Sequence, residues 1–167
     1  QTYSYYSSGR LQEAKNEHAL VSFRYNNMGL PVEERMNEHI IQRSYNPMGQ
    51  IASLTSSLGA NLTYERNEFG ELLNFKARQG DTENHFVSEH QYDSLGFELE
   101  RMLPGGISQS FAYDNIGRLV DSKTRQSSKV RRERKYHWGK ADRLLKTEDS
   151  RYGTTTYEYS ATGHLQK

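Results

Sequence analysis

The sequence predicts an all-β fold: tandem antiparallel β-hairpins joined into a curved, spiralling sheet. Three observations predict it. A short turn motif recurs along the whole chain at a nearly constant interval. The segments flanking it alternate as strands do. The composition is rich in Tyr and Gly but poor in aliphatic residues, which suits a sheet with one modestly apolar face and one wet face.

The repeat is clearest at Tyr113-Asp114-Asn115-Ile116-Gly117-Arg118-Leu119 and at Tyr92-Asp93-Ser94-Leu95-Gly96. Tyr45 to Gly49 (YNPMG) and Tyr25 to Gly29 (YNNMG) match them, and Tyr159 to Gly163 and Tyr5 to Gly9 are looser copies. Two copies are degenerate. Arg66 to Gly70 has lost the Tyr, although Tyr64 lies two residues earlier on the same strand face, and Trp138 to Asp142 puts Trp at the Tyr position and Asp at the Gly position. The Gly positions are thus 9, 29, 49, 70, 96, 117, 142 and 163, with successive intervals of 20, 20, 21, 26, 21, 25 and 21. The steady period is that of a repeat architecture, and the two long intervals are expected to hold loop insertions of roughly five residues.

The spacing has a physical cause. Asp or Asn at the first position of a turn and Gly at the fourth is the signature of a type I turn. The short polar side chain accepts from the turn's own backbone N–H groups. The Gly adopts positive φ and forms a G1 bulge, which restores strand pairing. Strands therefore enter through Ser110-Phe111-Ala112-Tyr113 and leave through Leu119-Val120-Asp121-Ser122, and the Tyr and the Leu are placed to pack on neighbouring hairpins. Turn signals also stand at the far end of the hairpins: Met36-Asn37-Glu38, Ser57-Leu58-Gly59, Gln79-Gly80-Asp81, Pro104-Gly105-Gly106 and Arg151-Tyr152-Gly153. Each period then holds two strands, about 14–16 short antiparallel strands in all. Ser8 to Val21 is the nearest approach to a helical pattern, but its place between two repeat glycines favours strands.

Composition narrows the function classes. Of the 167 residues, 34% are hydrophobic, against a usual share of about 45–50%. Mean hydropathy is -0.97, yet there are 12 Tyr and 6 Phe, and 22 basic residues face 21 acidic ones. Disordered chains lack aromatics and carry net charge, so this chain is expected to fold. Cysteine is absent, which excludes disulfides and thiol chemistry. No apolar run is long enough for a transmembrane helix, and residues 1–10 lack the order of a signal peptide. The chain starts and stops inside repeats, so residues 1–167 are expected to be one repeat region from a longer protein.

No catalytic constellation stands out, and the expectation is a non-enzymatic chain without metal or cofactor. The six His are scattered, without HxxxH or HExxH spacing, and are expected to be exposed or packed within hairpins. The neighbouring acids Glu33-Glu34 and Glu148-Asp149 point to opposite faces of a strand, and are expected to be solvated charge. No GxSxG, GxGxxG or P-loop is present. The most basic stretch, Lys123 to Lys140, interleaves cations with Tyr136 and Trp138, as nucleic-acid interfaces do. However, strand alternation divides Arg131 from Arg132, and the whole chain carries only +1. The favoured reading is a charged hairpin whose Arg131, Arg132, Arg134 and Lys135 touch a cargo or a partner wall, not nucleic acid.

The YDxxGRL pattern, from Tyr5 to Leu165, resembles the YD repeat of bacterial Rhs proteins, of Tc-toxin C components and of animal teneurins. Leu103-Pro104-Gly105-Gly106-Ile107, followed by Phe111-Ala112-Tyr113-Asp114, is similar to bacterial Rhs proteins in particular, as is Tyr136 to Leu144. The resemblance implies a β-ribbon that spirals into a hollow shell around a C-terminal toxin domain. It implies as partners the rest of that shell, the enclosed toxin, secretion-apparatus proteins and immunity proteins. It also implies assembly in the cytoplasm followed by secretion. Residues 1–167 hold no match to the family's DPxGL-like core-ending segment with self-cleaving aspartates, nor to its toxin or spike-binding domains, so they are expected to supply only part of the wall. The alternative is an extracellular module that binds glycan or a protein receptor, with Trp138, Tyr152 and Tyr157 free to stack on sugars. The direction of the Tyr side chains separates the two: packed between hairpins or lining a lumen in a shell, exposed in a glycan binder.

Overall fold

The computed structural model describes residues 1–80 and 85–166. Among these residues fifteen strands follow one another in chain order, and neighbouring strands pair antiparallel. Two compact units, Gln1–Val87 and Ser88–Lys167, divide within the ninth strand. The first unit holds β1 (Thr2–Tyr5), β2 (Leu11–Lys15), β3 (Leu20–Tyr25), β4 (Pro31–Met36), β5 (His39–Tyr45), β6 (Ile51–Ser56), β7 (Ala60–Arg66), β8 (Leu72–Gln79) and the start of β9 (His85–Tyr92). The second holds the rest of β9, then β10 (Glu98–Leu103), β11 (Ile107–Tyr113), β12 (Leu119–Gln126), β13 (Lys129–Trp138), β14 (Leu144–Asp149) and β15 (Gly153–Thr156). Ser8 to Val21 forms β2 and β3, joined at Asn16, whose side chain accepts the N–H groups of His18 and Ala19.

The repeat turns have the expected chemistry. Oδ1 of Asn26 accepts from the N–H of Met28 and of Leu30, and the same pair of bonds recurs at Asn46, Asn67, Asp93 and Asp114. Gly29 N–H returns to the Asn26 carbonyl at 2.9 Å, with Gly29 at φ +77°. The ladder shifts register at the Tyr, between Arg24 and Tyr25 and again between Ser44 and Tyr45, as a bulge requires. In the degenerate copy, Ala141 and Asp142 both take positive φ, at 56° and 53°, within a single 3-10 turn over Lys140–Asp142. Asp142 therefore does occupy the glycine's place.

The expected loop insertion at the 117-to-142 interval is corrected by the structure. The turn there is only Ser127 and Ser128, both at positive φ, and the extra residues lengthen β12 to 8 and β13 to 10 residues. Added length on paired strands gains ladder hydrogen bonds, which a loop does not. The 70-to-96 interval likewise has two strands of 8 residues. Its turn signal at Gln79-Gly80-Asp81 lies partly outside the described residues.

At the far margin, turn residues clamp the preceding hairpin. Asn37, Ser57 and Ser150 each donate their N–H to a carbonyl 17 residues back, at Leu20, Ile40 and Glu133. Each also accepts that residue's N–H with its side-chain oxygen. Among the described residues no hydrophobic side chain is fully buried, and Ser88, at 4% exposure, is the one buried residue. The apolar contacts lie on one face: Tyr6 against Tyr25, Phe23 against Tyr25, and Tyr64 against Phe75 against Phe86 in the first unit. The other face of that unit is hydrophilic, as at the cross-strand pair Ser44–Ser53. With no closed core, cohesion comes from hairpin-to-hairpin terms, as in repeat proteins generally.

Candidate functional site: the interlock between hairpins

The repeat aromatic of one hairpin reaches back to the hairpin before it. Tyr25 Oη donates to the Leu11 carbonyl at 2.9 Å, Tyr45 to Pro31 at 2.7 Å, Tyr113 to Glu98 at 3.0 Å and Tyr159 to Leu144 at 3.0 Å. Trp138 Nε1 does the same to Leu119 at 2.7 Å. Every acceptor lies two positions after the preceding repeat's Gly, or after Asp142 in its place. The carbonyl needs this donor because the ladder between hairpins starts later: at Glu13 opposite Ser22, Glu33 opposite Gln42, Glu100 opposite Ser110, Asp121 opposite Lys135 and Lys146 opposite Thr156. The aromatic donor satisfies a backbone acceptor at the mouth of each ladder, where an orphaned group is costly. Burial, then the charges of Glu98 and Asp93, push the Tyr113 hydroxyl above its ordinary pKa, so it stays a donor.

The residue just after the Gly completes the interlock. Arg10 lies over the Tyr25 ring with its Cζ 5.9 Å from the centroid, Arg118 over Trp138 at 5.8 Å and Arg143 over Tyr159 at 5.6 Å. Phe97 takes the same position, stacked on Tyr113 at 4.9 Å. The same side chains lie across the next turn. A Cβ on Gly29 would collide with the Arg10 guanidinium, one on Gly117 with the Phe97 ring, and one on Gly70 with the Gln50 amide. Glycine is thus required twice, for positive φ and for the surface it leaves open. Where Asp142 replaces it, Arg118 Nη1 meets the Asp142 carboxylate at 3.1 Å while its other nitrogens hold Asp114 at 2.7 Å. Backbone N–H of Arg118, then its side chain and the N–H of Ile116, hold the Asp114 carboxyl below its usual pKa against desolvation.

Of the predicted repeat residues, Tyr25, Tyr45, Tyr113, Trp138 and Tyr159 join in this interlock. Tyr92, half-buried, occupies the equivalent position. Tyr5, on the first strand, is 59% exposed. Arg66 sits where a Tyr would cap the Ile51 carbonyl; instead its Nη1 donates to the Gly70 carbonyl and its Nε is buried without a partner. Sequence reasoning missed the tyrosine–carbonyl bond and the role of the post-glycine residue. The available signal was the large side chain after Gly9, Gly96, Gly117 and Asp142.

The basic hairpin divides. Arg132 and Arg134 both hold Asp149, at 2.6 and 3.0 Å, whereas Arg131 and Lys135 are exposed. The Arg132 bond, with the Arg151 N–H and Arg134, drives the Asp149 carboxyl far below the usual range against desolvation. The expectation of solvated acids is corrected for Glu33, Glu34 and Asp149, each of which meets a cation on a neighbouring strand, while Glu148 pairs with Lys146 on its own strand. Asp149 takes Arg132 and Arg134, Glu33 bridges Arg24 and Arg35 at 3.8 Å each, and Glu34 takes Arg43 at 2.9 Å.

A second cluster escaped the sequence reading. Ser88 Oγ lies 2.8 Å from His90 Nε2, and His90 Nδ1 lies 2.5 Å from Glu98, whose carboxylate also binds Arg101. Burial opposes ionisation of Glu98, but bonds from Arg101 and His90 outweigh it and hold its carboxyl below the ordinary value. The order hydroxyl, imidazole, carboxylate is that of an acyl-transfer relay. A nucleophile must meet its substrate, however, and Ser88 is 4% exposed, so this geometry ties β9 to β10. Among the described residues no cluster of three or more His, Asp or Glu is placed to hold a metal ion. Among the described residues no helix is long and apolar enough to cross a membrane.

Serial antiparallel hairpins locked through their turn aromatics define the class: a β-hairpin repeat sheet. Its architecture is that of solved toxin structures. The crystal structure of TcdB2-TccC3-Cdc42 superposes with a TM-score of 0.80 at 12% identity, covering 94% of this chain and 9% of that one. That of TcdB2-TccC3-TEV gives 0.80 at 13%, with the same coverage. A Photorhabdus luminescens Tc holotoxin pore with a substituted TccC3 gives 0.78 at 12%, again covering 94% and 9%. The likeness is one of fold, and this chain spans about a tenth of the length of those chains. No family model and no curated protein matches the sequence.

Proposed function

We propose that the chain is a non-catalytic wall segment of an Rhs-type shell that encloses a C-terminal toxin domain for delivery to a target cell. The observation that carries this reading is the interlock: the repeat aromatics are spent between hairpins, as a wall needs and a sugar-binding face does not. Of the aromatics offered for glycan stacking, Trp138 and Tyr157 are half-buried and only Tyr152 stands open, at 71% exposure. That no described hydrophobic residue is fully buried also supports the reading, since a wall encloses volume with little apolar mass. Exposed Met28, Met48 and Phe69, just before the Gly in three of the first unit's four repeat turns, give that margin an apolar edge suited to further wall. Its partners in this reading are the remaining shell and the enclosed toxin, with assembly in the cytoplasm and export by a specialised secretion system.

The test is to express the complete reading frame and challenge it with protease. A C-terminal domain that resists cleavage until the repeat region is denatured supports the proposal. A reading frame with no domain beyond the repeats, or one whose further domain is cleaved at the rate of the isolated domain, overturns it.

A further inference from the structure

We propose that the cleft on the hydrophilic face of β7 and β8 is a binding site for a phosphate-type oxyanion. The cleft has a volume of about 400 Å³, and its walls are Asn61, Thr63, Lys76, Ala77, Arg78 and His85. The register explains the convergence. Thr63 stands opposite Lys76 and Asn61 opposite Arg78, and residues two apart on a strand share a face. Two cations and two neutral donors therefore meet on one patch of sheet.

Their bonding potential is unspent. In the same unit Arg24 and Arg35 share Glu33, Arg43 takes Glu34, and Arg10 and Arg66 lie over tyrosine rings. Lys76 and Arg78 have neither an ion pair nor a ring contact among the described residues, and the side chains of Asn61 and Thr63 make no hydrogen bond there. An ammonium and a guanidinium supply donors only, and the amide and hydroxyl add more. A cleft lined by donors and, among the described residues, by no carboxylate wants an acceptor with several oxygens and negative charge. The fork of Arg78 suits a tetrahedral oxyanion bidentately, with Lys76 as a point charge beside it. By contrast, the cleft beside β13 and β14 is lined by Lys135 with Glu133, Glu148 and Asp149, and those acids already pair with Lys123, Lys146, and Arg132 and Arg134.

The test is an NMR titration of the 167-residue chain at neutral pH. Inorganic phosphate forms one arm and methyl phosphate a second, with sodium chloride at matched ionic strength as the control. The expected result is saturable shifts of the Arg78 Nε–H, Asn61 side-chain amide and Thr63 backbone signals with phosphate, absent with chloride. The K76Q/R78Q variant, checked for an unchanged far-ultraviolet spectrum, should bind at least tenfold more weakly. Tighter binding of inorganic phosphate assigns a free anion, and equal or tighter binding of methyl phosphate assigns a phosphoester. Shifts that grow linearly and equally in phosphate and chloride overturn the proposal on the unaltered protein alone, as do saturable shifts that survive in the variant.

Discussion

The hydroxyl of Tyr113 donates to the carbonyl oxygen of Glu98 across 3.0 Å, joining the end of β11, at one repeat turn, to the start of β10, at the repeat turn before it. A neutral hydrogen bond of this kind contributes about 1 kcal/mol. Tyr113→Phe and Tyr45→Phe should each lower stability by about that amount in urea denaturation. The two sites share no partner, so their effects should add. Tyr5→Phe, on the exposed first strand, should leave the midpoint within error.

Gly9 and Gly117 separate the two demands on the turn glycine. Both hold positive φ, at 78° and 85°, but a Cβ at Gly9 meets nothing within 4 Å while one at Gly117 meets the Phe97 ring. Gly9→Ala should cost about 1–2 kcal/mol from backbone conformation alone. Gly117→Ala should cost clearly more. Combining it with Phe97→Ala should recover the excess, giving a double-mutant coupling measurable by thermal unfolding.

Arg66 offers a gain. It occupies the aromatic's place, opposite a carbonyl at Ile51 that the pattern would cap, and its Nε is buried without a partner. Arg66→Tyr should raise stability by about 1 kcal/mol by supplying the missing donor and removing the unsatisfied one. A loss of stability in urea would show that this hairpin junction is spaced differently from the others.

Glu98 makes stability depend on acid. Its folded-state pKa lies below its ordinary value, so its contribution is complete above the unfolded pKa, near 4.5, and is lost as pH falls through the folded value. Asp114, Glu133, Glu148 and Asp149 shift in the same direction. The urea midpoint should therefore hold between pH 7 and about 5 and fall steadily below that. Glu98→Gln should flatten part of the slope, which a pH series of melts will show.

The turns were legible because each is local: Asn26 and Gly29, or Asp114 and Gly117, lie three residues apart and specify one backbone shape. Strand order followed, since a turn every 20 or so residues leaves room for two strands and nothing else. The interlock was not legible, because Tyr25 meets Leu11 and Tyr113 meets Glu98 only once the register between separate hairpins is known. The acceptor is also a backbone carbonyl, which carries no residue signature. Ser88 and His90 could be placed on one face by alternation, but Glu98 joins them only through the bulged pairing of β9 with β10. The long interval after Gly117 was misplaced for a related reason. An interval between turns does not say whether its extra residues lengthen a loop or the paired strands; here they lengthen the strands, and cross-strand pairs of Glu133 with Lys123 and Arg132 with Asp149 neutralise their charge within the sheet.

The most direct test is the set of nuclear Overhauser contacts from the repeat aromatics. Ring protons of Tyr25, Tyr45, Tyr113, Trp138 and Tyr159 should show contacts to Leu11, Pro31, Glu98, Leu119 and Leu144 respectively, one hairpin back in every case. Rings whose contacts stay within their own turn, or reach hairpins that are not adjacent, would contradict the account.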